Sequence, residues 1–112
     1  MFARKPVQMG AVTVTTAGTR VRLTAGQSDP TADILTPWIY LQAAEANTGV
    51  IYVGLSTVAS TAYIAALGAG EAIQISAGQV RGSQGEYSLN DFYVDSSVNG
   101  EKVYVTYDKA RG

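Results

Sequence analysis

A chain of 112 residues and 11.7 kDa makes one domain, since single domains run about 100–150 residues; a second core is excluded. Hydrophobic residues make up 46% and charged residues 15%, against roughly 25% charged in an average soluble protein, which excludes an intrinsically disordered chain and points to surface covered by something other than water. Eight basic and nine acidic residues leave a net charge of −1, and there is no cysteine or histidine; bulk attraction to nucleic acid or an anionic membrane, disulfides, Cys/His zinc sites, thiol nucleophiles and histidine bases are all excluded.

In chain order, Met1-Phe2-Ala3-Arg4-Lys5-Pro6 has basic residues with no apolar stretch behind them, so no signal peptide is expected. Period-two alternation follows, the mark of strands buried on one face. It runs through Ala11-Val12-Thr13-Val14-Thr15, Arg20-Val21-Arg22-Leu23, Trp38-Ile39-Tyr40-Leu41-Gln42, Ile51-Tyr52-Val53 and, more weakly, Ala62-Tyr63-Ile64-Ala65-Ala66-Leu67. Ala72-Ile73-Gln74-Ile75-Ser76, Phe92-Tyr93-Val94-Asp95 and Lys102-Val103-Tyr104-Val105-Thr106-Tyr107 complete eight segments. Turn chemistry separates them. Thr16-Ala17-Gly18 and Asn47-Thr48-Gly49 stand at hairpin distance, Gly68-Ala69-Gly70-Glu71 divides the fifth segment from the sixth, and Asn99-Gly100 predicts a tight hairpin between the last two. Two longer connections, residues 25–37 and 77–90, carry prolines and glycines; residues 31–35 and 88–92 are each expected to form one helical turn, the second with Ser88 as N-cap. No apolar run reaches the roughly 20 residues of a membrane span. The expected fold is all-β, an antiparallel sandwich or jelly roll of about eight short strands, in a single domain over residues 1–112 with short flexible ends at 1–6 and 109–112.

The inward set is conventional: Val12, Val14, Val21, Leu23, Ile39, Leu41, Ile51, Val53, Ile73, Ile75, Phe92, Val94, Val103 and Val105. The opposite set carries Trp38, Tyr40, Tyr52, Tyr93 and Tyr104. Exposed aromatic area of that extent marks an interface, either with a second copy of the chain or with a sugar or peptide. Long loops folded over the rings, or a one-residue slip of register, would account for the same residues. Self-association fits the low charge content, since interface cores are depleted in charge.

Catalysis finds few candidates. Asp91 and Asp95 flank a strand start, and Asp95, Asn99 and Glu101 gather around the Asn-Gly turn, but the spacing fits a turn better than a calcium loop. Asp29 and Asp33 read as loop solvators or a helix cap rather than a glycosidase pair. Gly68-Ala69-Gly70 lacks the lysine and helix of a phosphate loop. Arg20 and Arg22 read as a solvated edge. No enzyme, cofactor, metal, nucleic acid or membrane is expected.

Three blocks carry a resemblance: Asn47-Thr48-Gly49-Val50-Ile51-Tyr52-Val53-Gly54, then Leu67-Gly68-Ala69-Gly70-Glu71-Ala72-Ile73-Gln74-Ile75, then Leu89-Asn90-Asp91-Phe92-Tyr93-Val94-Asp95 with Val98-Asn99-Gly100-Glu101-Lys102-Val103-Tyr104-Val105. In order and spacing they resemble small virion proteins of tailed bacteriophages. The resemblance implies a structural role on the particle, with capsid decoration (cement) ahead of a head or tail fibre component or a connector, because 112 residues of sandwich leave no room for a fibre's extended anchor. It implies synthesis in the host bacterial cytoplasm, a place on the capsid surface, and two partners: major capsid protein and the chain itself, as a homotrimer ahead of a dimer. Arg4 and Lys5 would be a capsid-contacting arm. The alternative is a carbohydrate- or receptor-binding module displayed on the virion, with Trp38, Tyr40 and Tyr104 stacked on sugar rings.

Overall fold

Short alternating runs rich in valine, isoleucine, threonine and tyrosine suit a pleated surface with one buried face, and each of the eight expected segments contributes a strand. The computed structural model describes residues 4–26, 34–77, 79–80 and 83–110. Its strands are β1 (Arg4–Val14), β2 (Val21–Arg22), β3 (Leu35–Thr36), β4 (Trp38–Ala43), β5 (Ile51–Gly54), β6 (Ala65–Leu67), β7 (Ala72–Ser76), β8 (Gln79–Val80), β9 (Ser83–Gln84), β10 (Tyr87–Ser88), β11 (Tyr93–Ser96) and β12 (Glu101–Ala110). The four that the periodicity did not announce, β3, β8, β9 and β10, are two residues each and lie in the two long connections. There β3 pairs with β10, Thr36 opposite Tyr87 and Leu35 opposite Ser88.

Two four-stranded antiparallel sheets result, ordered β1-β12-β4-β7 and β2-β11-β5-β6. Numbered one to eight in chain order, these strands run 1-8-3-6 in one sheet and 2-7-4-5 in the other, which is jelly-roll connectivity. Of the connections between the eight, only β5 to β6 stays within a sheet. This corrects the hairpins expected from the turn residues. The turns at residues 16–18, 47–49, 68–71 and 99–100 all carry the chain from one sheet to the other. Gly100 does take positive φ, +80°, yet its N–H bonds to the carbonyl of Val14 at 2.8 Å. The reversal is anchored to β1, and β12 pairs with β1 and β4 instead of β11. A tight turn fixes the change of direction; the need to face Val103 and Val105 toward Val94 across the core decides which sheet receives the strand.

The longest ladder joins β1 to β12, from Arg4 opposite Ala110 to Val14 opposite Glu101, with a register shift between Gln8 and Gly10. Gly10, at φ +95°, supplies the conformation such a bulge needs. Residues 4–6 and 109–110, expected as loose ends, are rungs of this ladder. Of the two expected helical turns, residues 31–33 lie outside the described residues and Leu35 belongs to β3. The second is a 3-10 turn over Leu89–Asp91, in which the Ser88 side chain makes no capping bond.

The core lies between the sheets. Every residue of the expected inward set belongs to it or packs against it, with Val21, Ile73 and Ile75 only partly buried. Ala43, Leu67, Leu89 and Tyr107 join them. No helix among the described residues is long and apolar enough to cross a membrane.

Candidate functional site

Alternation along β4 and β12 sends Ile39, Leu41, Val103 and Val105 into the core and their neighbours out. The register then sets the outward residues in rows. One row runs Gln8, Thr106, Tyr40, Gln74; the next runs Ala11, Tyr104, Gln42, Ala72; Trp38 lies opposite Ser76. Neither row holds a charged residue. Tyr40 is 37% and Tyr104 49% exposed, and Trp38 is half-buried. Beside Tyr104 lies a shallow hollow of about 390 Å³, lined by Gln42, Ala44, Glu45 and Ala46 among others.

The five aromatics singled out by the alternation divide between two surfaces. Trp38, Tyr40 and Tyr104 share the outer face just described. Tyr52 and Tyr93 stand on the outer face of the other sheet, across the core, where Asp95 opposes Tyr52 and Arg22 opposes Tyr93. Both have partners there. Tyr52 lies 5.3 Å from the ring of Tyr63. The Tyr93 hydroxyl accepts from Arg22 Nε at 3.1 Å and Nη2 at 2.8 Å, with the guanidinium 5.4 Å from the ring centroid. Arg22 and Tyr93 also line a hollow of about 330 Å³ with Leu55, Ser56, Asn90 and Asp91. Alternation separates in from out, but it does not say which sheet a strand joins.

The acidic candidates serve the loops. Asp95 is buried, and its Oδ1 accepts the N–H groups of Gly18 at 2.9 Å and Ser96 at 2.8 Å. Asn99 Oδ1 accepts from Ala17 N–H at 2.8 Å. Glu101 Oε1 accepts from Thr48 N–H at 2.9 Å and from Gly49 N–H. Asn47 completes the set by exchanging two bonds with Lys102: its Nδ2 donates to the carbonyl at 2.8 Å, and its Oδ1 accepts from the N–H at 3.0 Å. The three crossover loops at this end are thereby tied together. Gly49 is required by the closeness of the packing, since a Cβ there would lie 2.7 Å from Val98 Cγ2 and nearer still to Ser97 Oγ. Glu71 ties its own turn by accepting from Gly68 N–H at 2.6 Å. Among the described residues no three or more acidic side chains are grouped to hold a metal ion; Asp29 and Asp33 lie outside them.

Arg4 and Lys5, expected as an arm, are strand backbone in β1. Leu55, Tyr63 and Ile64, outside the aromatic set that the alternation marks, are each about half exposed and surround a hollow of about 190 Å³ where β5 leads toward β6. The alternation is weakest there, and Ile64 precedes the strand.

Compared with protein-family models, with curated proteins and with solved structures, the chain matches none.

Proposed function

We propose that this chain is a non-enzymatic virion structural protein that self-associates and decorates, or cements, a bacteriophage capsid by binding assembled major capsid protein. The observation that carries this reading is the outer face of the β1-β12-β4-β7 sheet: two uncharged rows bearing Tyr40 and Tyr104, with Trp38 at the margin. Large aromatics with a polar tip, in a field depleted of charge, are the composition of protein interface cores. The jelly-roll architecture, used by capsid and lectin domains alike, is compatible with this role and does not select it. The sequence resemblance adds the particle. Several copies on one shell multiply modest contacts through effective concentration, so no single contact need be strong.

The test is co-sedimentation of the purified chain with expanded shells that lack it. Saturable binding at micromolar concentration or below is expected, with a rise in the shells' thermal stability by mass action. The double substitution Tyr40→Ala, Tyr104→Ala should weaken binding by at least about tenfold, the loss expected when central aromatic anchors are truncated, while the far-ultraviolet dichroism stays unchanged. Undetectable binding at micromolar concentration overturns the reading.

The hollow beside Tyr104, with Gln42 and Glu45 at its wall, favours a second reading as a carbohydrate-binding module. A sugar ring would stack on the aromatic while the polar groups bond its hydroxyls. Glycan binding that disappears in Tyr104→Ala, with the fold retained, would replace the capsid reading.

A further inference from the structure

We propose that β7 is a docking edge for a second copy of this chain, so that two β1-β12-β4-β7 sheets join across a two-fold axis at Gln74 into one eight-stranded sheet. The inference rests on self-association as read above, but it assigns that association to a sheet edge instead of the aromatic face, so the two can fail separately.

The edges of this sandwich are unequal. Exposed edges are normally blunted by shortness, charge, proline or a bulge. β2 has two residues, one of them Arg22, and β6 has three. β1 carries Arg4, Lys5, Pro6 and the bulge at Gln8/Gly10. β7, Ala72-Ile73-Gln74-Ile75-Ser76, has five residues and none of these devices. Among the described residues its one strand partner is β4. The core is also open there. Ile73 and Ile75 pack against it but stay half-exposed, whereas Ile39 and Leu41, opposite them on β4, are fully buried.

By its hydrogen-bond parity the free edge is self-complementary, which fits a second copy of this chain as its occupant. Ala43 N–H donates to the Glu71 carbonyl at 2.8 Å, and Ala77 N–H to the Pro37 carbonyl at 2.9 Å. In an antiparallel ladder bonded residues alternate, so positions 71, 73, 75 and 77 turn their backbone groups toward β4. Ala72, Gln74 and Ser76 turn theirs to the open side. That set is symmetric about Gln74. An antiparallel copy pairs Gln74 with Gln74 and Ala72 with Ser76, and every free N–H in the three residues meets a carbonyl. The same register places Ile73 opposite Ile75, so both isoleucines stay on the core face, as period two demands. Charge does not oppose it. The nearest acidic residue, Glu71, falls opposite Ala77, which leaves the two Glu71 positions roughly 20 Å apart by strand rise, well past the Debye length of about 8 Å. The pairing closes with two copies, in place of the trimer ranked first from the sequence.

Light scattering combined with residue-resolved amide exchange tests this. The chain is expected to be a dimer, with the amides of Ala72 and Ser76 protected along with those of Ile73 and Ile75. Gln74→Lys sets two ammonium groups against each other across the axis, and like charges directly opposite destabilise a strand pair. It should halve the mass and speed exchange at Ala72 and Ser76 by at least about tenfold, the loss expected when a protecting partner leaves, while Ile73 and Ile75 stay protected. Gln74→Pro removes an N–H that does not bond to β4 and should likewise give a folded monomer. Fast exchange at Ala72 and Ser76 in the unaltered chain, or an oligomer that survives both substitutions, overturns the edge pairing. An oligomer lost only with Tyr104→Ala overturns it while leaving the aromatic-face reading intact. A dimer with the protected edge that binds no shell supports the edge pairing and overturns the capsid role.

Discussion

Glu101→Ala is expected to lower the unfolding free energy by about 2–4 kcal/mol, the loss of a buried carboxylate that accepts two backbone N–H groups, and to drop the melting temperature by roughly 10–30 °C for a domain of this size. Glu101 is 5% exposed, and its Oε1 holds the N–H groups of Thr48 and Gly49. Without it, two donors lose their acceptor in a loop that must carry the chain from β4 to β5 in the facing sheet. The neighbouring exchange between Asn47 and Lys102 holds the same loop to the start of β12, so the two contributions are coupled and their effects should not add. Glu101→Gln retains one acceptor oxygen in nearly the same shape and should cost less than half as much. Urea unfolding of the three proteins checks this. A change within about 0.5 kcal/mol for Glu101→Ala, the scatter of ordinary surface substitutions, would mean that the loop holds without its clasp.

Leu41→Ala should cost about 2–5 kcal/mol, the range for truncating a buried leucine when its surroundings cannot collapse into the void. Leu41 is fully buried on β4 between Val105 of β12 and Ile73 of β7. Against a total stability of about 5–15 kcal/mol for a typical domain, this single change removes much of the margin. Its neighbour gives the contrast. Tyr40→Ala, one residue earlier and 37% exposed on the outer face, should cost roughly 1 kcal/mol or less in the isolated chain. Denaturant midpoints for the two variants check the phase of β4 directly. Equal losses would mean that both faces of this sheet are buried.

The strands and their buried faces were legible because period two is a local property. Val12, Ile39, Val53 and Val103 each lie where their alternation put them. Pairing is not local, and there the sequence misled. Asn99-Gly100 does reverse the chain, but Asn99 spends its side chain on Ala17 of another loop, and Gly100 bonds to Val14. No pattern within ten residues encodes that. The same limit split the aromatics, since Tyr52 and Tyr104 are both outward but on opposite sides of the sandwich. Asp95 and Glu101 were legible as turn residues, though their partners were not.

The blocks that carried the family resemblance have a physical content of their own. Asn47, Gly49, Glu71, Asp95, Asn99 and Glu101, all within them, tie or closely pack the crossover loops. Their spacing therefore follows from building a jelly roll with short crossovers. The role on a particle has to be tested on the surface, where Tyr40 and Tyr104 stand.

The most direct measurement is cryo-electron microscopy of expanded shells incubated with the purified chain. Ordered added density is expected at repeated positions on the capsid surface, with the outer face of the β1-β12-β4-β7 sheet buried in a protein interface. Bare shells at saturating concentration, or bound copies whose Tyr40 and Tyr104 point into solvent, would contradict the proposed role.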